Sequence, residues 1–329
     1  METRLIKAHN VRINIPEVNL LPDGPFCMSF DFDLEILKKS ISKYGIINPP
    51  YLIKNLDNSY SVVTGYKRLL AAHELGWKGA ECNVLPDSFT EHDALLFNLD
   101  DNLLHREFNS IEKAMILDRL VNVLKKEEII EKYLPLLTIP ANRHSLLLYL
   151  NLNVLEEIVK VSVARNAVSL KVAGLMANID RESRLGISSL FNSLKFSINQ
   201  QVQLFQYLEE ISRREGQVIT DIINSSDVQE IVADTNMNKP QKVKAITAVL
   251  KNRRFPLLSE AHMAFKNGLD RLSLPSGVNI ISPPFFEGVN YRLEIDFSRG
   301  EELTDKINKL HKLAELSEVP NFWKGRGDT

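Results

Sequence analysis

The stretch of residues 60–76 changes its pattern at Gly65, and this change constrains the fold more than any other feature of the sequence. Before the glycine, aromatic and β-branched residues are typical of a short strand. After it, apolar residues recur at helical spacing until Gly76. A strand that turns through a glycine into a helix leaves the first N–H groups of the helix unpaired, at the positive end of its dipole. The sequence therefore predicts a turn that can bind an anion.

Two cations follow this glycine directly. Lys67 and Arg68 lie in the first turn of the predicted helix, where positive charge is unfavourable for the helix itself. Their position is favourable if a phosphate docks against them. A plainer interpretation is that Gly65 only shapes the turn and that both cations are solvated surface charges.

Composition sets limits on the function. The 329 residues suffice for two or three domains, and the formal net charge of −2 means that any nucleic-acid surface is a local patch. The two cysteines, Cys27 and Cys82, have no metal-ligand spacing and fit buried thiols in a reducing compartment. We expect a cytoplasmic protein, since neither a signal peptide nor a membrane-spanning apolar run occurs.

The first hundred residues predict a compact α+β unit. Alternating or β-branched runs predict the strands, and apolar spacing with glycine stops predicts the helices. The predicted strands cover residues 4–21, 51–53, 60–64 and 80–85, and the predicted helices cover residues 33–44, 65–75 and 90–99.

A polar run at residues 100–109 predicts a loop before the next helix. Asp101 and Asn102 offer the hard oxygen ligands that Mg²⁺ prefers. His105 and Arg106 can neutralise phosphate. Asn109 or Ser110 can cap the helix that follows. The plainer interpretation is a helix-entry loop with exposed polar groups.

Three landmarks occur in order along this part of the chain. They are the Ser40…Gly45…Pro50 block, the Gly-Tyr-Lys-Arg loop at residues 65–68, and the Asp-Asn run at residues 101–112. Together they resemble the N-terminal domain of ParB-type chromosome and plasmid partition proteins. The resemblance covers residues 10–125 and, more faintly, residues 126–205.

The resemblance implies a nucleotide site. In that family the loop binds the triphosphate of a cytidine nucleotide, so Gly65, Tyr66, Lys67 and Arg68 are the expected phosphate-binding loop here. Tyr66 stands where the family has a glutamate, and Lys67 replaces an arginine, exchanging a bidentate fork for a point charge.

The second landmark implies a metal ligand. By resemblance, Asn102 binds Mg²⁺, and Asp101 takes the place of the glutamate that is tied to hydrolysis, which implies a weak CTPase with Asp101 as the catalytic residue. His105 stands at the family's arginine and Arg106 one place later. We assign both to phosphate binding.

Residues 129–150 predict two short helices around a tight turn. This pattern fits a helix-turn-helix that offers Asn142, Arg143, His144 and Ser145 to DNA. A helical hairpin within a bundle is the plainer interpretation. Pro135 is expected to interrupt the first helix.

A basic run lies further along the chain, where no acidic residue separates its cations. Within it Lys251, Arg253 and Arg254 are predicted to bind the DNA backbone. A solvated helix face explains the same run.

The sequence thus predicts three domains: an α+β ParB-like domain (1–110), an all-α helix-turn-helix domain (111–235) and a small α+β domain (236–329) that supports dimerisation. The resemblance implies a DNA-binding protein, homodimeric and controlled by a CTP-like nucleotide with Mg²⁺, acting in chromosome or plasmid partition or related regulation. It also implies a ParA-type ATPase as a partner.

Two other functions stay open. One is a nucleotide-dependent enzyme on the ParB/sulfiredoxin scaffold, a small-molecule kinase or a nuclease, with a carboxylate such as Asp100, Asp101 or Glu107 near the phosphate. Sulfiredoxin chemistry is rejected because the phosphate loop has no cysteine. The other is an adaptor that binds no nucleotide and keeps the fold for dimerisation.

Overall fold

A computed structural model describes residues 8–322, without the side chains of residues 314 and 315. Residues 4–7 of the first predicted strand lie outside this part of the chain. The contacts divide the chain into two compact units, Met1–Val202 and Gln203–Thr329, and the division falls within the helix Ile198–Glu215. In the described residues, no helix is both long and apolar enough to cross a bilayer.

The first unit contains a five-stranded mixed sheet. Its strands are β1 His9–Asn14, β2 Val18–Asn19, β3 Tyr51–Lys54, β4 Tyr60–Thr64 and β5 Gly79–Val84, in the spatial order β1-β5-β3-β4-β2. The pairs β1–β5 and β3–β4 are antiparallel, whereas β2–β4 and β3–β5 are parallel. A short 3₁₀ turn, Ile15–Glu17, separates β1 from β2, because Pro16 has no N–H group to donate to a ladder.

Helices make up the rest of the first unit. They are α1 Glu35–Tyr44, α2 Tyr66–Glu74, α3 Glu91–His105, α4 Ser110–Val123, α5 Lys126–Glu128, α6 Leu134–Leu136, α7 Arg143–Asn151, α8 Glu157–Ala164, α9 Leu170–Met176 and α10 Arg181–Ser193, with α11 Ile198–Glu215 crossing the division. A π-helical turn, Ile129–Tyr133, joins α5 to α6, and a 3₁₀ turn, Leu152–Val154, follows α7.

One sheet face and helix α2 share a core. Leu52 and Val62 from the central strands pack with Leu69 and Ala72 of α2, and all four side chains are buried. Strand β4 is buried on both of its faces from Ser61 to Thr64, and α2 buries the side that carries Leu69 and Ala72. This packing fixes the start of α2 against the end of β4.

Helix α3 is longer than the sequence predicted. The expected end at residue 99 is wrong, because the run with Asp101, Asn102 and His105 continues the helix to its last turn. A capping box between Thr90 and Asp93 starts the helix. Contacts within the fold favour its continuation, since Leu99 is fully buried and Asn102 Nδ2 donates to the Asn98 carbonyl at 2.9 Å.

Residues 126–151 form two helical segments joined by a turn. Pro135 lies inside α6 and does not end the first segment, which passes through the π-helical turn instead of an unbroken α-helix. Thr138 in the connecting turn has a φ of 56°, the left-handed conformation that a helix-turn-helix usually assigns to a small residue. Lys113 Nζ donates to the Thr138 hydroxyl at 2.9 Å and ties this turn to α4.

The second unit continues with helices and ends in a ribbon. The helices are α12 Ile219–Ile223, α13 Ser226–Ala233, α14 Lys239–Arg254, α15 Pro256–Leu272 and α16 Gly300–His311, and the ribbon pairs β6 Val278–Ile281 with β7 Arg292–Ile295 in antiparallel register. Two 3₁₀ turns, Pro284–Phe286 and Ala314–Asn321, complete this unit. Helix α13 ends just before the boundary that the sequence predicts between residues 235 and 236. The mixture of α and β structure is confirmed, whereas the division into three domains stays a prediction.

Candidate functional site

The turn that the sequence predicted at Gly65 is present in the structure. Gly65 precedes α2 with φ 85° and ψ 21°, a left-handed conformation. No side chain caps the helix, and among the described residues no hydrogen bond uses the backbone N–H groups of Tyr66 and Lys67. These two N–H groups and the helix dipole therefore favour an anion.

Glycine is also required here by space. A Cβ atom on Gly65 would lie 2.9 Å from Arg68 Nη2 and 2.9 Å from Pro50 Cβ. The guanidinium of Arg68 folds back over the glycine and donates to the carbonyl of Asn48. The loop before β3 therefore holds Arg68 in place.

The turn opens into a cavity of about 200 Å³, which we call the Lys67 cavity. All eight residues predicted for nucleotide, metal and catalytic roles line it together. They are Gly65, Tyr66, Lys67, Arg68, Asp101, Asn102, His105 and Arg106, and Phe26, Met28, Ser29, Val63 and Asn98 complete the lining. Two segments more than 30 residues apart in sequence thus meet at one place.

Lys67 and Arg68 are partly removed from water. The ammonium of Lys67 lies 4.6 Å from the centroid of the Phe32 ring, a cation–π contact. Burial lowers the pKa of Lys67, and the nearby charge of Arg106 lowers it further. Burial also lowers the pKa of Arg68, against the opposing effect of Asp101. An anion between these cations would offset both the desolvation and the mutual repulsion.

Tyr66 forms part of the wall of the cavity and brings no charge to it. Its hydroxyl donates to the Leu20 carbonyl at 3.1 Å, and its ring meets Phe32 edge to face with centroids 6.2 Å apart. Burial raises its pKa to about 12, so the phenol stays neutral at physiological pH. Tyr66 therefore adds no carboxylate to a cavity that favours anions.

Arg106 is held by a hydrogen-bond network around the end of α3. Its Nε donates to Asn102 Oδ1 at 2.8 Å, and its Nη1 donates to Glu112 Oε1 at 2.6 Å. Its Nη2 donates to the Met28 carbonyl and, at 3.3 Å, to the Ser29 hydroxyl. These contacts use four of the five N–H groups of a guanidinium. Arg106 therefore gives the cavity a fixed positive charge and has little capacity left for direct phosphate contact.

Glu112 is the partner that the sequence reasoning missed. Its side chain is 3% exposed and also accepts the backbone N–H groups of Phe30 at 3.1 Å and Asn109 at 3.0 Å. A capping box with Asn109 starts α4. The spacing Asn109-x-x-Glu112 was the signal that could have identified this residue.

The metal ligands predicted at the end of α3 lie in the same cavity. Asp101 and His105 are one turn apart, with 3.8 Å between Oδ1 and Nε2. Asn102 Oδ1 accepts Arg106 Nε, which leaves it one lone pair for a cation. Within residues 8–322, no three His, Cys, Asp or Glu side chains are grouped as a metal site. Asp101 and Asn102 fit Mg²⁺ only where phosphate and water supply the remaining ligands, as is common for this ion.

The four residues at the start of α7 that are predicted to contact DNA differ in their exposure and in their hydrogen bonds. Arg143 and His144 are exposed in its first turn. Asn142 caps the helix by accepting the Ser145 N–H at 2.8 Å. Ser145 is 8% exposed, so its side chain faces the interior. Arg143 and His144 are therefore accessible to a partner, whereas Ser145 is not.

Arg253 and Arg254 of the basic run form ion pairs. Arg253 Nη2 lies 2.7 Å from Glu215 Oε2, and Arg254 pairs with Glu210 while stacking on Phe255. Lys251 is exposed. The carboxylates, which are distant in sequence, neutralise much of the charge that the run suggested. The assignment of these residues to DNA binding stays a prediction.

Known proteins resemble part of this chain. Nucleoid occlusion proteins of Bacillus thuringiensis, Bacillus mycoides and Bacillus cereus are each 30% identical to it over 113 residues. The match covers 33% of this chain and 38% of each relative, so the chain spans about two fifths of the length of these curated relatives. No protein-family model matches the chain.

Two solved structures also resemble it, both of the C-terminally truncated chromosome-partitioning protein ParB from Caulobacter crescentus. One is complexed to the centromeric parS site (TM-score 0.33, 16% identity, 60% of this chain and 98% of that one). The other is complexed with CTP-gamma-S (TM-score 0.26, 21% identity, 56% and 99%). Scores this low do not establish a shared overall fold.

The predicted resemblance to ParB-type partition proteins is confirmed. A kinase or nuclease on the same scaffold is not favoured by these relatives.

Replacing Gly65 by alanine tests the turn. The control is Gly76→Ala, because Gly76 has a similar φ of 77° and an added Cβ there would have no atom within 4 Å. We expect this control to lower the free energy of unfolding by about 1–2 kcal/mol, through backbone strain alone. Gly65→Ala adds the collision with Arg68 and Pro50, which costs about 1–3 kcal/mol more. Urea denaturation of both variants measures the difference. Equal losses would show that the crowding at Gly65 is not real.

Replacing Glu112 by glutamine tests the network. An amide removes the charge that pairs with Arg106 and turns one acceptor into a donor, so we expect a loss of about 3 kcal/mol in unfolding free energy. The control is Glu107→Gln, an exposed residue in the adjacent loop, for which we expect a change within about 0.5 kcal/mol. A Glu112→Gln protein as stable as the control contradicts the assigned role.

Proposed function

We propose that this protein is a ParB-like DNA-binding protein whose Lys67 cavity binds the phosphates of a nucleotide. The observation that carries the proposal is the meeting of two distant segments in one cavity. Lys67, Arg68 and Arg106 bring positive charge to it, and the uncapped start of α2 points N–H groups at the same place. In this arrangement a phosphate gains two backbone donors and two desolvated cations.

The size of the cavity limits which part of a ligand it can enclose. Sites that enclose a drug-sized molecule usually measure roughly 300–1,000 Å³, whereas this cavity measures about 200 Å³. It therefore fits the phosphate groups of a nucleotide and not the whole molecule. We propose a cytidine nucleotide, because one ParB to which the chain is similar is complexed with CTP-gamma-S. When Mg²⁺ is bound, held by Asp101 and Asn102, it offsets phosphate charge.

The DNA-binding part of the proposal rests on the helical segments 126–151. The exposed first turn of α7 offers Arg143 and His144, whose side chains suit phosphates and base edges. A ParB to which the chain is similar is complexed to the centromeric parS site. We propose that nucleotide binding favours one arrangement of a DNA-bound homodimer in partition or related regulation, with a ParA-type ATPase as a further partner. Any hydrolysis would be weak, with Asp101 as the carboxylate.

Calorimetric titration tests the nucleotide site. With CTP and Mg²⁺, we expect Arg68→Ala to weaken binding about 10- to 100-fold, since hydrogen bonds to charged groups contribute about 1.5–3 kcal/mol. The control is Lys54→Ala, which removes an exposed cation outside the cavity. ATP and GTP are titrated in parallel and should bind more weakly. Binding of CTP that is unchanged in Arg68→Ala contradicts this placement of the phosphates.

A pull-down of genomic fragments tests the DNA site. We expect specific sites to be enriched. The affinity for an enriched site is then measured at several salt concentrations, and Arg143→Ala should reduce the slope of log affinity against log salt concentration by about the share of one phosphate contact. Lys195→Ala removes an exposed cation outside the two helical segments and should leave the slope unchanged. A pull-down without enriched sites opposes sequence-specific binding.

A further inference from the structure

A second and larger cavity lies on the other side of the loop formed by residues 22–30. It has a volume of about 640 Å³ and is walled by this loop, α3, α4 and α8. We call it the Phe30 cavity. Its size lies within the roughly 300–1,000 Å³ that is typical of ligand sites. Phe26 and Ser29 line this cavity and the Lys67 cavity alike, so one loop forms a wall of both.

The wall of the Phe30 cavity is largely apolar. Phe26, Leu95 and Ile111 are buried at its base, and Phe30 and Met115 are half-buried beside them. Apolar surface around a concave site stabilises a ligand by removing the apolar surface of that ligand from water. The cavity therefore suits a ligand with at least one large apolar group.

The charged residues around this apolar wall are mostly acidic. Asp23, Glu91, Asp118 and Glu157 line the cavity and are exposed, and no ion pair joins them to another described residue. Among the described residues that line the cavity, two cations accompany these four carboxylates, Arg119 and Lys160.

One of these two cations already forms hydrogen bonds within the protein. Arg119 donates to the backbone carbonyls of Pro25 at 2.9 Å, Gly24 at 3.0 Å and Met115 at 3.0 Å. It therefore holds the 22–30 loop to α4. The carboxylates exceed the free positive charge, so an anionic ligand is repelled, and a nucleotide phosphate suits this cavity poorly.

We propose that the Phe30 cavity binds a segment of a partner protein in which an apolar side chain is flanked by lysine or arginine. The apolar group would fill the space over Phe30 and Met115, and the flanking cations would face Asp118 and Glu157 on the two helices. The charge preference is opposite to that of the Lys67 cavity. The inference does not depend on nucleotide binding.

A pair of short peptides tests the proposal on the full chain. The probe is a fluorescein-labelled, end-capped tetrapeptide Lys-Leu-Phe-Arg, and the matched control is Glu-Leu-Phe-Glu. Fluorescence anisotropy should show binding of the basic peptide only, and this binding should weaken with added salt, because exposed charges are screened.

The variants place the binding site. Asp118→Asn with Glu157→Gln removes two exposed carboxylates of the cavity and should weaken binding about 3- to 10-fold, as expected for two exposed ion pairs. Glu127→Gln with Glu131→Gln makes the same change of charge at exposed positions outside the cavity and should have no effect. Thermal unfolding confirms that both proteins are folded.

Three results would overturn the proposal. The first is equal binding of the acidic and basic peptides, and the second is equal affinity of the two double variants for the basic peptide. The third is that no peptide binds and a second copy of the chain occupies this face instead. That occupation would be seen as self-association that Asp118→Asn with Glu157→Gln abolishes. The Arg68→Ala protein separates the two sites. It should bind the basic peptide with unchanged affinity even where it loses nucleotide.

Discussion

The pairing of Glu112 with Arg106 is the interaction on which the site depends. A carboxylate that is 3% exposed is tolerated because it accepts three hydrogen bonds, one of them from a guanidinium. These bonds join the end of α3, the start of α4 and the 22–30 loop at a single group. Because that loop forms a wall of both the Lys67 cavity and the Phe30 cavity, loss of the pair would disturb both.

The two cavities differ in the charge of the residues that line them. The start of α2 carries a partial positive charge and two cations, and Arg106 brings a third to the last turn of α3. Tyr66 belongs to this turn, and its neutral phenol leaves the positive charge undiminished. On the other side of the loop, exposed carboxylates of α3, α4 and α8 outnumber the available cations.

The pattern around Gly65 predicted the strand, the turn through a glycine and the helix, and the structure agrees with each. The predicted end of α3 at residue 99 is wrong, and elsewhere the structure adds contacts that the local sequence does not show. The polar run 100–105 resembles a loop but remains helical, because Leu99 is buried and Arg106 holds Asn102. The run with Arg253 and Arg254 resembles an open basic face, but Glu215 and Glu210 pair with both arginines. Ser145, which the sequence assigned to DNA binding, is 8% exposed, and that assignment stays a prediction.

The sequence by itself determined the local conformations, because glycine, proline and apolar spacing act within a few residues of the chain. It also indicated eight of the thirteen residues that line the Lys67 cavity, through two short motifs and a family resemblance. Only the tertiary structure decided that the two motifs share one cavity, that Arg106 is held by Glu112, and that a second cavity lies behind the same loop. Burial and hydrogen bonding between distant segments produce these features, and such contacts leave no periodic signal in the sequence.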